Sequence, residues 1–212
     1  MTEETKIDTN LYSRQIGTFG MEAMGKLIKM NVLIVGLRGT GVETAKNLIL
    51  AGPKSVTLYD PNPVSWGDLS SNFYCTEAHV GKATRAEASY EKLQELNPYV
   101  KVQIAGSLSL EDHANFHVVC YTEIFQSIEE ATKVNEFCRA RGVGFILAQT
   151  YGPAGFTFLD YGNDFSINDA DGEETKSFIV VSATQTNPLI VTVHEDKRHK
   201  FQDGDYVKFN EV

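Results

Sequence analysis

The chain has 212 residues, 42% apolar and 22% charged, with a formal net charge of -9. That is ordinary globular composition, and the length suits one full domain plus a fragment of a second. The acidic balance excludes nucleic acid and anionic membrane as expected partners, no apolar run is long enough to cross a bilayer, and residues 1–10 are polar, unlike a signal peptide.

Residues 1–10 read as a disordered N-terminus. Over 11–30, Met21, Met24, Leu27 and Ile28 recur at helical spacing. NVLIVG at 31–36 is a continuous apolar run, as in a buried parallel strand. A second helix follows with Val42, Ala45, Leu48 and Ile49 on one face, stopped by Gly52-Pro53. SVTLYD at 55–60 is the second strand. Thr84 and Glu87 form a capping box opening a helix whose buried stripe is Ala86, Tyr90, Leu93 and Leu96. Strands at 100–105 and 117–122 come next. A second capping box, Ser127 with Glu130, opens a helix with Ile128, Ala131, Val134 and Phe137 on one side, and 144–149 is the fifth strand. Strands alternating with helices predict an α/β fold, a doubly wound, Rossmann-like, mainly parallel sheet.

Beyond Gly152 the pattern becomes β-rich. Segments 156–160 and 165–168 read as hairpin strands, and 177–183, 189–193 and 205–209 as further strands, separated by turns at Asn187-Pro188 and Asp203-Gly204. A compact β module needs more strands than these, so this part reads as a small module cut from a longer protein.

The loop between the first strand and second helix carries the functional signal. A dinucleotide loop reads Gly-x-Gly-x-x-Gly, and here Gly36 and Gly41 hold the first and third glycine positions. The second, where backbone approaches a phosphate, is Arg38, followed by Gly39; a side chain at that position fills the space of the phosphates. Asp60 ends the second strand about twenty residues on, where such folds bind a ribose. The pattern is that of a nucleotide-binding fold that has lost its nucleotide.

Three segments resemble the single-chain ubiquitin-activating enzyme family: LYSRQ at 11–15 with 20–24, the stretch 35–60, and Arg198-His199 with FQDGDYVKFNEV at 201–212. The resemblance implies a ThiF-type fold in an N-terminal fragment, with an inactive adenylation domain over 11–175 and the start of the first catalytic-cysteine half-domain over 176–212. Active domains of that family have glycine where Arg38 stands, a second acid where Asn62 stands, and Asn-Arg-Gln-Phe where this chain has Ser70-Ser71-Asn72-Phe73. After the fourth strand they place a magnesium-binding Asp and an Asn, where this chain has Glu123 and Ile124; Glu123 could bind a metal in principle. No cofactor or metal is therefore expected in this domain, whereas the full enzyme uses Mg-ATP.

The resemblance gives Arg14 a role in trans, reaching the ATP of the active adenylation domain of the same chain; the bland reading is a solvated helix residue. A guanidinium suits phosphoryl-type charge because it offers bidentate donors and stays protonated. Implied partners are that active domain, ubiquitin and, through the full enzyme, ubiquitin-conjugating enzymes. Without the active domain, an exposed apolar docking face and a homodimer of the fragment are expected. The implied location is cytoplasmic and nuclear.

Two other readings compete. One is an NAD-dependent oxidoreductase, favoured by Asp60 and opposed by Arg38. The other is an ATP-competent sulfur-carrier adenylating enzyme, opposed by the lost phosphate arginine and the missing zinc CxxC pairs. The three cysteines, Cys75, Cys120 and Cys138, read as small core residues in a reducing compartment, Cys75 being the least buried. His113, His117, His194 and His199 lack metal spacing and are unassigned, and the run 194–200 reads as a solvated turn.

Overall fold

A computed structural model describes residues 7–167, 177–194, 199 and 201–210. It divides into two compact units, Met1–Phe165 and Ser166–Val212. Residues 1–6, 168–176, 195–198, 200 and 211–212 lie outside the described residues, and with them most of the expected disordered N-terminus, the boundary at 175/176, Arg198, most of the turn expected over 194–200 and the last two residues of the 201–212 segment.

The first unit runs α1 (Ser13–Leu27), β1 (Asn31–Val35), α2 (Gly39–Ala51), β2 (Ser55–Tyr59), α3 (Arg85–Glu95), β3 (Lys101–Ile104), β4 (Val118–Tyr121), α4 (Ile128–Arg139), β5 (Gly144–Tyr151) and β6 (Ala154–Asp160). Short 3-10 turns at Trp66–Ser70, Glu77–His79 and Glu111–Asn115 fill the connections. The sheet order is β3-β2-β1-β4-β5-β6, parallel throughout except for β6. The order reverses between β1 and β4, so a switch point lies above their carboxyl ends, where open α/β sheets take ligands.

Burial explains the strand sequences. Ile34, Leu58, Val42, Ile49 and Leu93 pack together where α2 and α3 cover one face, while Leu33, Val119, Val134, Cys138 and Phe145 pack on the α4 face. Strands covered on both sides need apolar residues at consecutive positions, and each fully buried Leu or Ile contributes about 2 kcal/mol. Gly52 ends α2 in the left-handed conformation, φ 91°, which glycine adopts without a Cβ penalty.

Several local expectations need correction. The first helix is not continuous: Gly20 inside α1 has φ 79° and ψ 163°, a break. On α4, Val134 and Cys138 are buried while Ile128 is exposed, so the buried stripe is displaced from the one expected. Ser127 Oγ does accept the Glu130 N–H, but the Glu130 carboxylate turns to the Gln126 N–H, which leaves half a capping box. At α3 both halves of the Thr84–Glu87 box form.

The segment 156–160 lies in the first unit and is one arm of a hairpin whose other arm is β5. It belongs to β6, which folds back antiparallel on β5 from Tyr151↔Ala154 to Phe145↔Asp160 and completes the main sheet. Residues 165–167 and 205–209 form no strand. In the second unit β7 (Val180–Ala183) and β8 (Val191–Val193) pair antiparallel. Gly204, φ 99°, makes the turn expected at Asp203-Gly204.

Candidate functional site

The β1–α2 loop lies at the switch point, and its outer glycines are explained by local contacts. Gly36 has φ 91°, and a Cβ there would stand 2.7 Å from the Glu123 backbone nitrogen. A Cβ on Gly41 would fall 1.9 Å from the Gly36 carbonyl oxygen, so α2 can approach β1 this closely only with glycine. Gly39 is tighter than average, its notional Cβ 3.0 Å from Ser71 Cβ.

Asp60 is buried at the end of β2, but its carboxylate is turned inward on the loop. It accepts the Leu37 N–H at 2.9 Å, the Asn62 N–H at 3.1 Å and Asn62 Nδ2 at 3.0 Å. Arg85 Nη1 stands 3.3 Å from both its oxygens. The same guanidinium places Nε 2.9 Å from Asp68 Oδ1, and all three residues are buried. Asp68 in turn accepts the Ser65 N–H and hydroxyl at 2.8 and 2.7 Å, a capping box on the Trp66–Ser70 turn. Burial opposes ionisation of Asp68, but the Ser65 hydrogen bonds and Arg85 outweigh it, holding its carboxyl below the usual range. Burial also works against the Arg85 charge, and Asp60 and Asp68 overcome it, raising its pKa.

Sequence reasoning missed Arg85, Asp68 and Asn72. One signal for the first was available. Arg85 is the first residue of α3, where the helix dipole disfavours a cation, so it calls for an acidic partner. Asn72 is wholly buried and latches the loop, donating to the Leu37 carbonyl at 2.9 Å and to Ser89 Oγ at 3.0 Å.

Arg38 stands at the rim. Its side chain is 60% exposed and Nε lies 3.8 Å from Glu123 Oε2, while Arg85 Nη1 reaches the same oxygen at 3.9 Å. The guanidinium enclosed beside Asp60 is therefore that of Arg85 rather than Arg38. Glu123, the carboxylate that could have held a metal, is engaged by two cations, and Ile124 is exposed. No group of three metal-ligating residues occurs among the described residues.

On the α4 side of the switch point a crevice of about 420 Å³ is lined by Val35, Tyr59, His113, Tyr121, Phe125 and Val134, among others. His113 is buried, with Nε2 2.5 Å from the Tyr121 hydroxyl and Nδ1 3.0 Å from the Ser109 carbonyl oxygen. Burial pushes its pKa down, against the backbone carbonyls of Ser109 and Leu110. His117 Nδ1 accepts the Asn31 N–H, and His199 Nδ1 the Phe201 N–H.

Cys75, Cys120 and Cys138 are free and buried, Cys75 least so. Burial raises all three thiols, Cys120 and Cys138 to about 11, the opposite of what a nucleophile needs.

Arg14 lies apart from this cluster, exposed on the N-terminal half of α1, and its guanidinium makes no hydrogen bond or ion pair with the described residues. Its backbone oxygen accepts the Thr18 hydroxyl. Leu11, Phe19 and Met21 on the same segment are exposed at 53%, 62% and 52%.

The family model described as ThiF matches residues 12–191, from the segment before Arg14 through the whole six-stranded sheet. The chain belongs to the ThiF family. A second model, the ubiquitin-activating enzyme E1 FCCH domain, matches residues 186–212 of this ThiF chain. Among curated relatives, ubiquitin-activating enzyme E1 2 of Arabidopsis thaliana is 47% identical over 98% of the chain, and ubiquitin-like modifier-activating enzyme 1 of Homo sapiens 44% over 99%. Ubiquitin-activating enzyme E1 1 of Candida albicans is 45% identical over 98%. The chain spans about a fifth of the length of these relatives, 19–20%.

Proposed function

We propose that this ThiF chain is the non-catalytic half of a ubiquitin-activating enzyme, lending structure and one arginine to an active adenylation domain elsewhere in the full-length polypeptide. The full-length protein would use Mg-ATP to adenylate the ubiquitin C-terminus and then form a thioester, handing ubiquitin to conjugating enzymes, in cytoplasm and nucleus. Similarity to E1 relatives over nearly all of the chain, in both matched regions, supports the enzyme.

The single observation that carries the division of labour is the commitment of Asp60. A ribose or metal partner at the end of β2 needs free carboxylate oxygens, and both of these are taken by Leu37, Asn62 and Arg85. The donor set does not fit a nucleotide here, and no step of the chemistry is assigned to this loop. Arg14 supports the complementary half of the reading. It is a permanent cation, exposed and without a partner among the described residues, on a segment flanked by exposed apolar side chains suited to docking. By the same reasoning the isolated chain would self-associate through that face, which light scattering would reveal.

The test is ubiquitin-dependent ATP–pyrophosphate exchange in the full-length protein. Arg14→Ala should slow exchange by about two orders of magnitude, the cost of removing one preorganised donor from a developing anion. Exchange at the wild-type rate would remove Arg14 from the reaction.

A further inference from the structure

The break in α1 is the one place in that helix where the backbone leaves helical geometry, and no contact of Gly20 itself accounts for it. A Cβ built on Gly20 would meet nothing within 4 Å, so glycine is not there for space. Its conformation, φ 79° and ψ 163°, is one that residues with a side chain rarely adopt.

The reason lies in what anchors each side of the break. Before it, Tyr12 is buried, its hydroxyl accepting from Asn97 Nδ2 at 2.9 Å, while that amide also donates to the Ile49 carbonyl at 3.0 Å. Its ring lies against the end of α2, where a Cβ on Gly52 would stand 2.6 Å from the hydroxyl oxygen. Gln15 adds a bond from Nε2 to the Ala51 carbonyl at 3.4 Å. After the break, Met24 and Ile28 are buried. In an unbroken helix at about 100° per residue, Met24 would point about 120° away from Tyr12, and Ile28 about 160° away. One straight rod could not bury both sets on one body. Gly20 resets the phase.

The reset also decides where Arg14 points. Arg14 is two residues past Tyr12, about 200° further round the helix. Burying Tyr12 against Asn97 therefore turns Arg14 outward.

We propose that Gly20 and the Tyr12–Asn97 anchor are positioning elements that aim Arg14 at the phosphates of the partner domain's nucleotide. This rests on the donated-arginine reading above. Ala at Gly20 is the strongest helix former and cannot readily hold φ 79°, so G20A favours a continuous helix and re-aims the segment before it. Misplacing a catalytic group by about 1 Å can cost up to about a hundredfold in rate.

The experiment is the same exchange assay in the full-length protein, with G20A, Y12F, R14A and the double variants with R14A, each accompanied by its thermal midpoint. G20A should lower kcat by about tenfold or more with little change in the KM for ATP. Y12F, which keeps the ring and loses only the hydroxyl, should give a smaller loss of the same kind, and it decides the matter if G20A does not fold. Added to R14A, neither should lower exchange further, since there is no longer an arginine to aim. A purely structural role predicts the contrary: wild-type kcat in the single variants, or losses that multiply with that of R14A. Either result overturns the proposal while leaving the donated arginine intact. Wild-type exchange in R14A itself would overturn both.

Discussion

Two charged regions of this chain, one a buried cluster and the other a single exposed arginine, are built on opposite principles. At the switch point Asp60, Asp68 and Arg85 are buried and answer one another, with Asn72 and Leu37 closing the loop beside them. On the N-terminal half of α1, Arg14 is exposed and engages no described residue, although the helix beneath it is pinned by Tyr12. If the domain is the non-catalytic half proposed above, the fold is kept without its ligand site: the protein's own ion pairs occupy the switch point, while Arg14, without a partner among the described residues, serves a site elsewhere.

Breaking the sealed cluster should have the largest effect. Arg85→Met leaves Asp60 and Asp68 as buried carboxylates without their cation, and unfolding in urea should show a loss of about 3–5 kcal/mol, the usual cost of removing one member of a buried pair. A loss near zero would mean that the cluster is well solvated and not sealed.

A smaller effect belongs to His113, whose pKa is lowered chiefly by burial. The unfolded chain therefore binds its proton at higher pH than the folded one, so this stability is complete above the unfolded histidine pKa, about 6.5, and is lost as pH falls below it. The slope from one proton cannot exceed about 1.4 kcal/mol per pH unit. Replacing His113 with Gln should flatten that acid limb in thermal melts between pH 7 and 5, and an unchanged limb would assign it to other groups.

The smallest effect is expected at the exposed pole. Arg14→Ala should change unfolding free energy by no more than about 0.5 kcal/mol, as for surface residues without special contacts. A marked loss of stability would make Arg14 a structural residue and erase the contrast.

The parallel sheet was legible because residues such as those of β1 and β4 are apolar at consecutive positions, and because Thr84–Glu87 and Gly52 punctuate the helices. The loss of the loop's middle glycine was also legible at Arg38. The ion pairs beside it were not, because Arg85 lies 25 residues beyond Asp60 and Asp68 8 residues beyond, and only packing brings Arg85 against both carboxylates. β6 was legible as a hairpin strand from its alternation, but its partner β5 was not, because an exposed edge strand alternates in the same way whichever neighbour it joins. The break at Gly20 was invisible for another reason. Isolated glycines occur inside helical patterns, and only the phase mismatch between Tyr12 and Met24, which depends on knowing that both are buried, demands one here.

Whether the ion pairs of Asp60, Asp68 and Arg85 leave room for a nucleotide is read by titrating Mg-ATP, and separately NAD, into the 212-residue chain by calorimetry. Neither nucleotide should give saturable heat. Stoichiometric, saturable binding of either, abolished by a substitution at Gly41 or Asp60, would contradict this expectation.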